Sequence, residues 1–106
     1  MRKLVRDKIP DIMRAELGDQ NKSSSELGLR KMTGWEYNYA LQLKLREEWT
    51  EAWEDPCPEE FADCLEVLMS AAFHHGIDWE DVLEARKQKE ESKGSFKQMW
   101  EYTLKT

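Results

Sequence analysis

A four-residue break, Asp55-Pro56-Cys57-Pro58, constrains this chain more than any other feature. LREEWTEAWED precedes it and EEFADCLEVL follows it, and in both the apolar residues recur at helical spacing. Pro56 stops a helix, whereas Pro58 suits the first turn of the next one. So short a connection makes the two helices antiparallel neighbours. Each carries two acids three residues apart, Glu48 with Glu51 and Glu60 with Asp63, and residues three apart share a helical face. The hairpin therefore brings four carboxylates toward one place, where they repel unless something positive sits between them. Mg2+ is the hard, oxygen-ligated cation that works beside phosphates. The pattern points to metal-assisted phosphate chemistry.

The helical faces sharpen this reading. At about 100° per residue, Leu41, Leu45, Trp49 and Ala52 form the stripe of the first of these helices. Glu48 falls inside that stripe and Glu51 on its edge, while Glu47 and Glu54 lie away from it. The next helix is apolar around most of its circumference: Phe61, Cys64, Leu65, Val67, Leu68, Ala71 and Ala72. Glu60 shares a side with Cys64, Val67 and Ala71, and Asp63 lies beside it. An ionised acid on a core face is costly unless it is paired or metal-bound. The plainer account is that a chain with 22 acids contains such spacings by chance, Glu60 serving only the helix dipole.

The rest of the chain reads as a single domain, residues 1–106. A short helix is expected over 8–17, with Pro10 in its first turn, followed by a polar loop from Gly18 to Ser25 that is the segment most suited to move. Thr33-Gly-Trp-Glu36 is a capping box, so a long helix starts there and runs to about Glu54. The helix opened by Pro58 is expected to end at Gly76. Asp78 caps a fourth helix over roughly 79–93 that closes at Gly94. Trp100, Tyr102 and Leu104 alternate in the tail, which could pair with 26–32 as a minor two-stranded element. The expected fold is all-α and four-helix-bundle-like.

The net charge of -6 argues against a nucleic-acid polymer as partner, since phosphates are met by a basic face. It leaves a nucleotide open, because a bound cation reverses the local sign. No run approaches the roughly 18 apolar residues of a membrane span, and MRKLVRDKIP lacks a signal-peptide core. Cys57 and Cys64 are too few for a disulfide framework or a thiolate zinc site, so a reduced, cytoplasmic setting is expected. Two basic groups stand out in an acidic chain: Lys3, Arg6 and Lys8, and Arg86, Lys87, Lys89 and Lys93. Of these, Arg6, Lys8, Arg86 and Lys89 are the candidates for holding phosphate, against the alternative of a solvated helix face. Trp35, Tyr39, Trp49 and Trp53 are core residues or, less often, base-stacking surfaces. The third helix needs more neighbours than one chain this short supplies, so a homodimer, or a tetramer, is expected.

These residues carry a resemblance. The opening KLVRDKIPDI (3–12), LREEWTE (45–51), EEFADCLEV (59–67) and RKQKEESKGSF (86–96) resemble, in that order, motifs of the MazG-like and phosphoribosyl-ATP pyrophosphohydrolase-like family. Residues 18–44 match it poorly. The resemblance implies an all-α enzyme that hydrolyses a nucleoside triphosphate between the α and β phosphates, releasing the monophosphate and pyrophosphate. It implies that Glu48, Glu51, Glu60 and Asp63 hold Mg2+, with Mn2+ as the alternative ion; attack by water also needs a base, and Glu48 or Glu51 is the candidate. It also implies oligomers whose sites can draw residues from two chains. A house-cleaning hydrolase is favoured over the histidine-biosynthesis enzyme because KLVRDKIP resembles standalone members. Two readings from other classes remain. A di-iron carboxylate bundle would need Glu three residues before His74 or His75, where Ala71 and Ala72 stand. A noncatalytic helical interaction module is the other.

Overall fold

The structure, a computed structural model, describes residues 2–104. It is all-α: α1 (Ile9–Leu17), α2 (Gly34–Glu54), α3 (Pro58–His74) and α4 (Trp79–Lys93). Its contacts divide the chain into two compact units, one up to Ala71 and one from Ala72 onward.

In the first unit the local chemistry accounts for each boundary. Pro10 lies in the first turn of α1, where no amide hydrogen is needed. Gly18 ends α1 at φ 68, and the N–H groups of Gly18 and Asp19 return to the carbonyls of Ala15 and Arg14. Arg14 then donates from Nε to the Lys22 carbonyl at 2.8 Å, so the polar loop expected to be most mobile is anchored to α1. The capping box at the start of α2 is present, with Glu36 Oε1 accepting from both the N–H and the hydroxyl of Thr33 at 3.0 Å. Arg30 clamps the same carboxylate, at 2.6 Å to Oε2. Asp55 ends α2 and Pro58 opens α3, which makes the antiparallel hairpin.

The core of this unit is thin. Leu41, Ala52, Cys64 and Val67 are its buried apolar residues, and Glu48 is buried with them. Trp49 belongs on paper to the same stripe, yet is half exposed, and Trp35, Tyr39 and Trp53 are more exposed still. On α3, Phe61, Leu65 and Leu68 are half exposed. Each helix thus has a second apolar stripe, turned roughly 100° from its buried one in the same rotational sense. In an antiparallel pair that puts both exposed stripes on one side of the hairpin.

In the second unit, α3 ends at His74, two residues before the glycine expected to close it. Gly76, at φ 71, and Ile77 donate back to Phe73 and Ala72, the five-to-two and six-to-one bonds of a Schellman ending. Asp78 caps α4 by accepting from the Glu80 N–H at 3.1 Å. The described residues contain no strand, which corrects the expected pairing of 26–32 with the tail. The backbone is already engaged locally: the Leu27 and Leu29 N–H groups donate to the Ser24 carbonyl, which makes a turn where a strand was expected. The tail keeps Phe96, Met99, Trp100, Tyr102 and Leu104 exposed.

The capping box generates a pH test. Arg30, aided by Thr33, holds the Glu36 carboxyl down at about 2. A depressed carboxyl contributes stability above its ordinary value, and that contribution is lost as pH falls from about 4.5 to about 2. Glu36→Gln is expected to flatten the decline in thermal stability across that window, followed by far-ultraviolet circular dichroism. Thr33→Ala should cost about 1 kcal/mol at neutral pH. An unchanged acid slope in Glu36→Gln would remove the capping box from the stability of α2.

Candidate metal centre

Glu48 lies on the buried face of α2, one turn after Lys44, and Glu60 and Asp63 lie on the facing side of α3. Each of these three acids offers one carboxylate oxygen, and the three oxygens all lie within 4.8 Å of one another. Lys44 Nζ reaches Glu48 Oε1 at 3.3 Å, and Arg6 Nη2 donates to Asp63 Oδ1 at 2.6 Å. Two oxygens have no hydrogen-bond partner although they are buried: Glu48 Oε2 and Glu60 Oε2. Glu48 itself is only 7% exposed. A buried oxygen lone pair without a donor is costly, and a cation held by these carboxylates would offset that cost. The donor set, three carboxylates and nothing softer, fits a hard divalent ion.

The electrostatics agree with crowding. Burial pushes the Glu60 carboxyl above its ordinary range, and Asp63 and Glu48 push it further. The neighbouring Glu48 charge raises Glu51 first, with burial and Glu60 adding to it. Burial also pushes the Cys64 thiol up, followed by Glu48, Asp63 and Glu60. That keeps it protonated at neutral pH and unsuited to nucleophilic work. Glu47, off the stripe, is instead lowered by its contact with Lys3, at 3.1 Å, and spends its charge there.

A cleft of about 720 Å³ opens beside the acids. Lys3, Arg6, Lys8 and Lys44 line it together with Asp7, Glu48, Asp63 and Glu66, and Leu41, Ile12 and Val67 give it an apolar wall. Tyr37 is the aromatic side chain among its lining residues.

Of the residues singled out in the sequence, Glu48, Glu60 and Asp63 converge, with Glu51 exposed at their margin. Arg6 and Lys8 reach the cleft. Arg86 and Lys89 belong to the second unit, where Arg86 donates to Glu90 at 2.8 Å on its own helix and Lys89 is exposed. The four α2 aromatics proposed as stacking surfaces do not line the cleft. Lys44 and Tyr37 were missed. The Lys-x-x-x-Glu spacing from Lys44 to Glu48 was the available signal for the first, and nothing marked Tyr37 among ten aromatics per hundred residues. Asp55, Cys57 and Glu60 form a second group with ligand atoms within 4.8 Å, which makes Glu60 common to both. No histidine joins either group among the described residues, as a di-iron site would require.

No family model, curated protein or solved structure matches this chain.

The raised acids fix a sign. A carboxyl raised on folding binds its proton more tightly in the folded than in the unfolded chain. Its contribution to stability therefore declines as pH rises from about 4.5 toward neutrality. Glu60→Gln removes the charge and keeps the shape. It is expected to raise the melting temperature of metal-free protein at pH 7 and to weaken this decline. A lower melting temperature in Glu60→Gln at pH 7 would mean that the acids do not repel across the hairpin.

Proposed function

We infer that this protein hydrolyses a nucleoside triphosphate, or a similar nucleotide, between the α and β phosphates in a Mg2+-dependent reaction that yields the monophosphate and pyrophosphate. The observation that carries the reading is the pair of buried, unpartnered oxygens, Glu48 Oε2 and Glu60 Oε2, in a three-carboxylate cluster beside a cleft that also holds four basic side chains. An acidic cluster alone suits many ions. An acidic cluster walled by Lys3, Arg6, Lys8 and Lys44 suits an ion that is shared with a polyanion. The resemblance of KLVRDKIPDI, LREEWTE, EEFADCLEV and RKQKEESKGSF to MazG-like pyrophosphohydrolases supports the same conclusion and favours a house-cleaning role.

In this reading Glu48, Glu60 and Asp63 hold the metal, with Glu51 at the margin. Bound there, Mg2+ would neutralise charge on the phosphate oxygens and polarise the phosphorus toward attack. Glu51 is the better choice of the two candidate bases. It is exposed to water, where it can reach the attacking molecule. Glu48 is buried and already engaged by Lys44. Arg6 and Lys8 would hold the departing pyrophosphate, Arg6 as a fork and Lys8 as a point charge. The apolar wall and Tyr37 would take the base and sugar. Arg86 and Lys89 are not needed for this reading.

Glu48→Gln and Asp63→Asn are expected to reduce turnover of nucleoside triphosphates at saturating Mg2+ by at least about a hundredfold, the scale of a lost charge-stabilising group. Both should stay folded. The Arg6–Asp63 pair is largely exposed, and pairs of that kind contribute little to stability. Glu47→Gln should matter less. A panel of canonical and modified triphosphates with phosphoribosyl-ATP, assayed for pyrophosphate release, checks the chemistry and the substrate together. Wild-type turnover in Asp63→Asn would sink the metal assignment, and no turnover of any panel member would favour a noncatalytic module.

The working form in this reading is a homodimer, with a tetramer as the larger alternative. The outer stripe of Trp49, Trp53, Phe61, Leu65 and Leu68 is the surface two copies would share, since contiguous apolar area of this kind marks interfaces. Light scattering at micromolar concentration is expected to give at least twice 12.6 kDa. Trp53→Glu should shift it toward the monomer, and a fully active protein of 12.6 kDa would show that one chain suffices.

A further inference from the structure

The basic side chains of the cleft are not waiting for phosphate; two of them already stand on the carboxylates. Arg6 occupies Asp63 Oδ1 at 2.6 Å, and Lys44 occupies Glu48 Oε1 at 3.3 Å. Both acids belong to the trio whose oxygens lie within 4.8 Å of one another, and both basic residues line the cleft. We propose that Arg6 and Lys44 are exchange cations: they neutralise Asp63 and Glu48 until a divalent ion takes those carboxylates, and then turn to the phosphates of the incoming nucleotide. The proposal rests on the metal-dependent reading of the same site.

Charge makes the exchange directional. Three carboxylates against Arg6 and Lys44 leave one net negative charge. A divalent ion turns that into one net positive charge and frees Arg6 from Asp63 and Lys44 from Glu48, Lys44 keeping only its longer contact with Glu47 at 3.7 Å. A polyanion is repelled from the first arrangement and drawn to the second. Glu48 Oε2 and Glu60 Oε2 receive no hydrogen bond from either basic residue, so the cluster keeps a demand that an ion can answer. Movement is inexpensive. Arg6 lies on the irregular segment before α1, and its pair with Asp63 is 62% and 38% exposed, so breaking it costs little. Lys44 turns on its own flexible stem without disturbing α2. The arrangement makes ion and nucleotide cooperative: nucleotide binds poorly before the ion, and by linkage the ion binds better with nucleotide present.

The distinguishing consequence is a pair of effects of opposite sign. Mn2+ serves as the probe, its free fraction counted by electron paramagnetic resonance. A nonhydrolysable α,β-methylene nucleoside triphosphate is titrated calorimetrically in saturating Mg2+. Arg6→Gln removes a cation that competes for Asp63, so it is expected to bind Mn2+ alone about three- to tenfold more tightly than wild type. The same variant should bind the nucleotide analogue about tenfold more weakly, as loss of a charged hydrogen bond does. Arg6→Lys should restore both values most of the way. Lys44→Gln should show the same two signs, with a lower melting temperature in the absence of metal because Glu48 loses its counter-charge. A side chain that merely braced the N-terminal segment would not tighten Mn2+ binding. Unchanged or weaker Mn2+ binding in Arg6→Gln, with wild type binding the ion, overturns the exchange and leaves the metal site standing. Absence of Mn2+ binding by wild type overturns both.

Discussion

The first unit is organised around one buried charge. Glu48 is 7% exposed among Leu41, Ala52, Cys64 and Val67, in a core with few other members. An ionised carboxylate in such a place is costly, and Lys44 one turn earlier meets only one of its two oxygens. The facing helix adds to the cost, because Glu60 and Asp63 approach from the other side of the hairpin. A chain selected for stability alone would place an apolar residue at position 48 and extend the stripe. The basic N-terminal segment then has a structural reason to lie where it does: Lys3 on Glu47 and Arg6 on Asp63 bring positive charge toward an excess of negative charge.

The same concentration of charge explains why the core is thin. The positions that would complete the apolar contact between α2 and α3 are given to acids. The large apolar side chains are displaced to a second stripe on the outer side of the hairpin, where the rings of Trp49 and Trp53 meet edge to face at 5.7 Å and remain half exposed or more. Hydrophobic burial is the main favourable contribution to folding, and here much of the apolar area of both helices stays exposed. Interior acids and an apolar exterior are thus two consequences of one allocation of residues along two helices.

Much of the fold was legible because its boundaries are made by local chemistry. Pro10, the Thr33–Glu36 box, Asp55-Pro56, Pro58, Asp78 and Gly94 act within a few residues of themselves, so the four helices could be placed from sequence with small errors. The convergence of Glu48, Glu60 and Asp63 was legible for a related reason, since a three-residue connection leaves two helices little choice of register. What failed needed tertiary information. Trp49 lies on the right face by periodicity, but which flank of an apolar arc is covered depends on the neighbour. The 26–32 segment had no strand partner because Ser24 had already taken its amides. Tyr37 and Lys44 became site residues only when the segment before α1 closed the cleft against α2.

The register of the hairpin carries the last step. Glu48 meets both Glu60 and Asp63 across the Asp55-Pro56 break, while Glu51 stays at their margin. A change of one residue in the connection would turn these opposing acids away from one another. The connection itself contributes Asp55 and Cys57 to a second cluster that shares Glu60. The break is therefore more than a turn. It sets the distance between opposing carboxylates, and that distance decides whether the acids are merely exposed helix residues or a cluster with an unmet need for a cation.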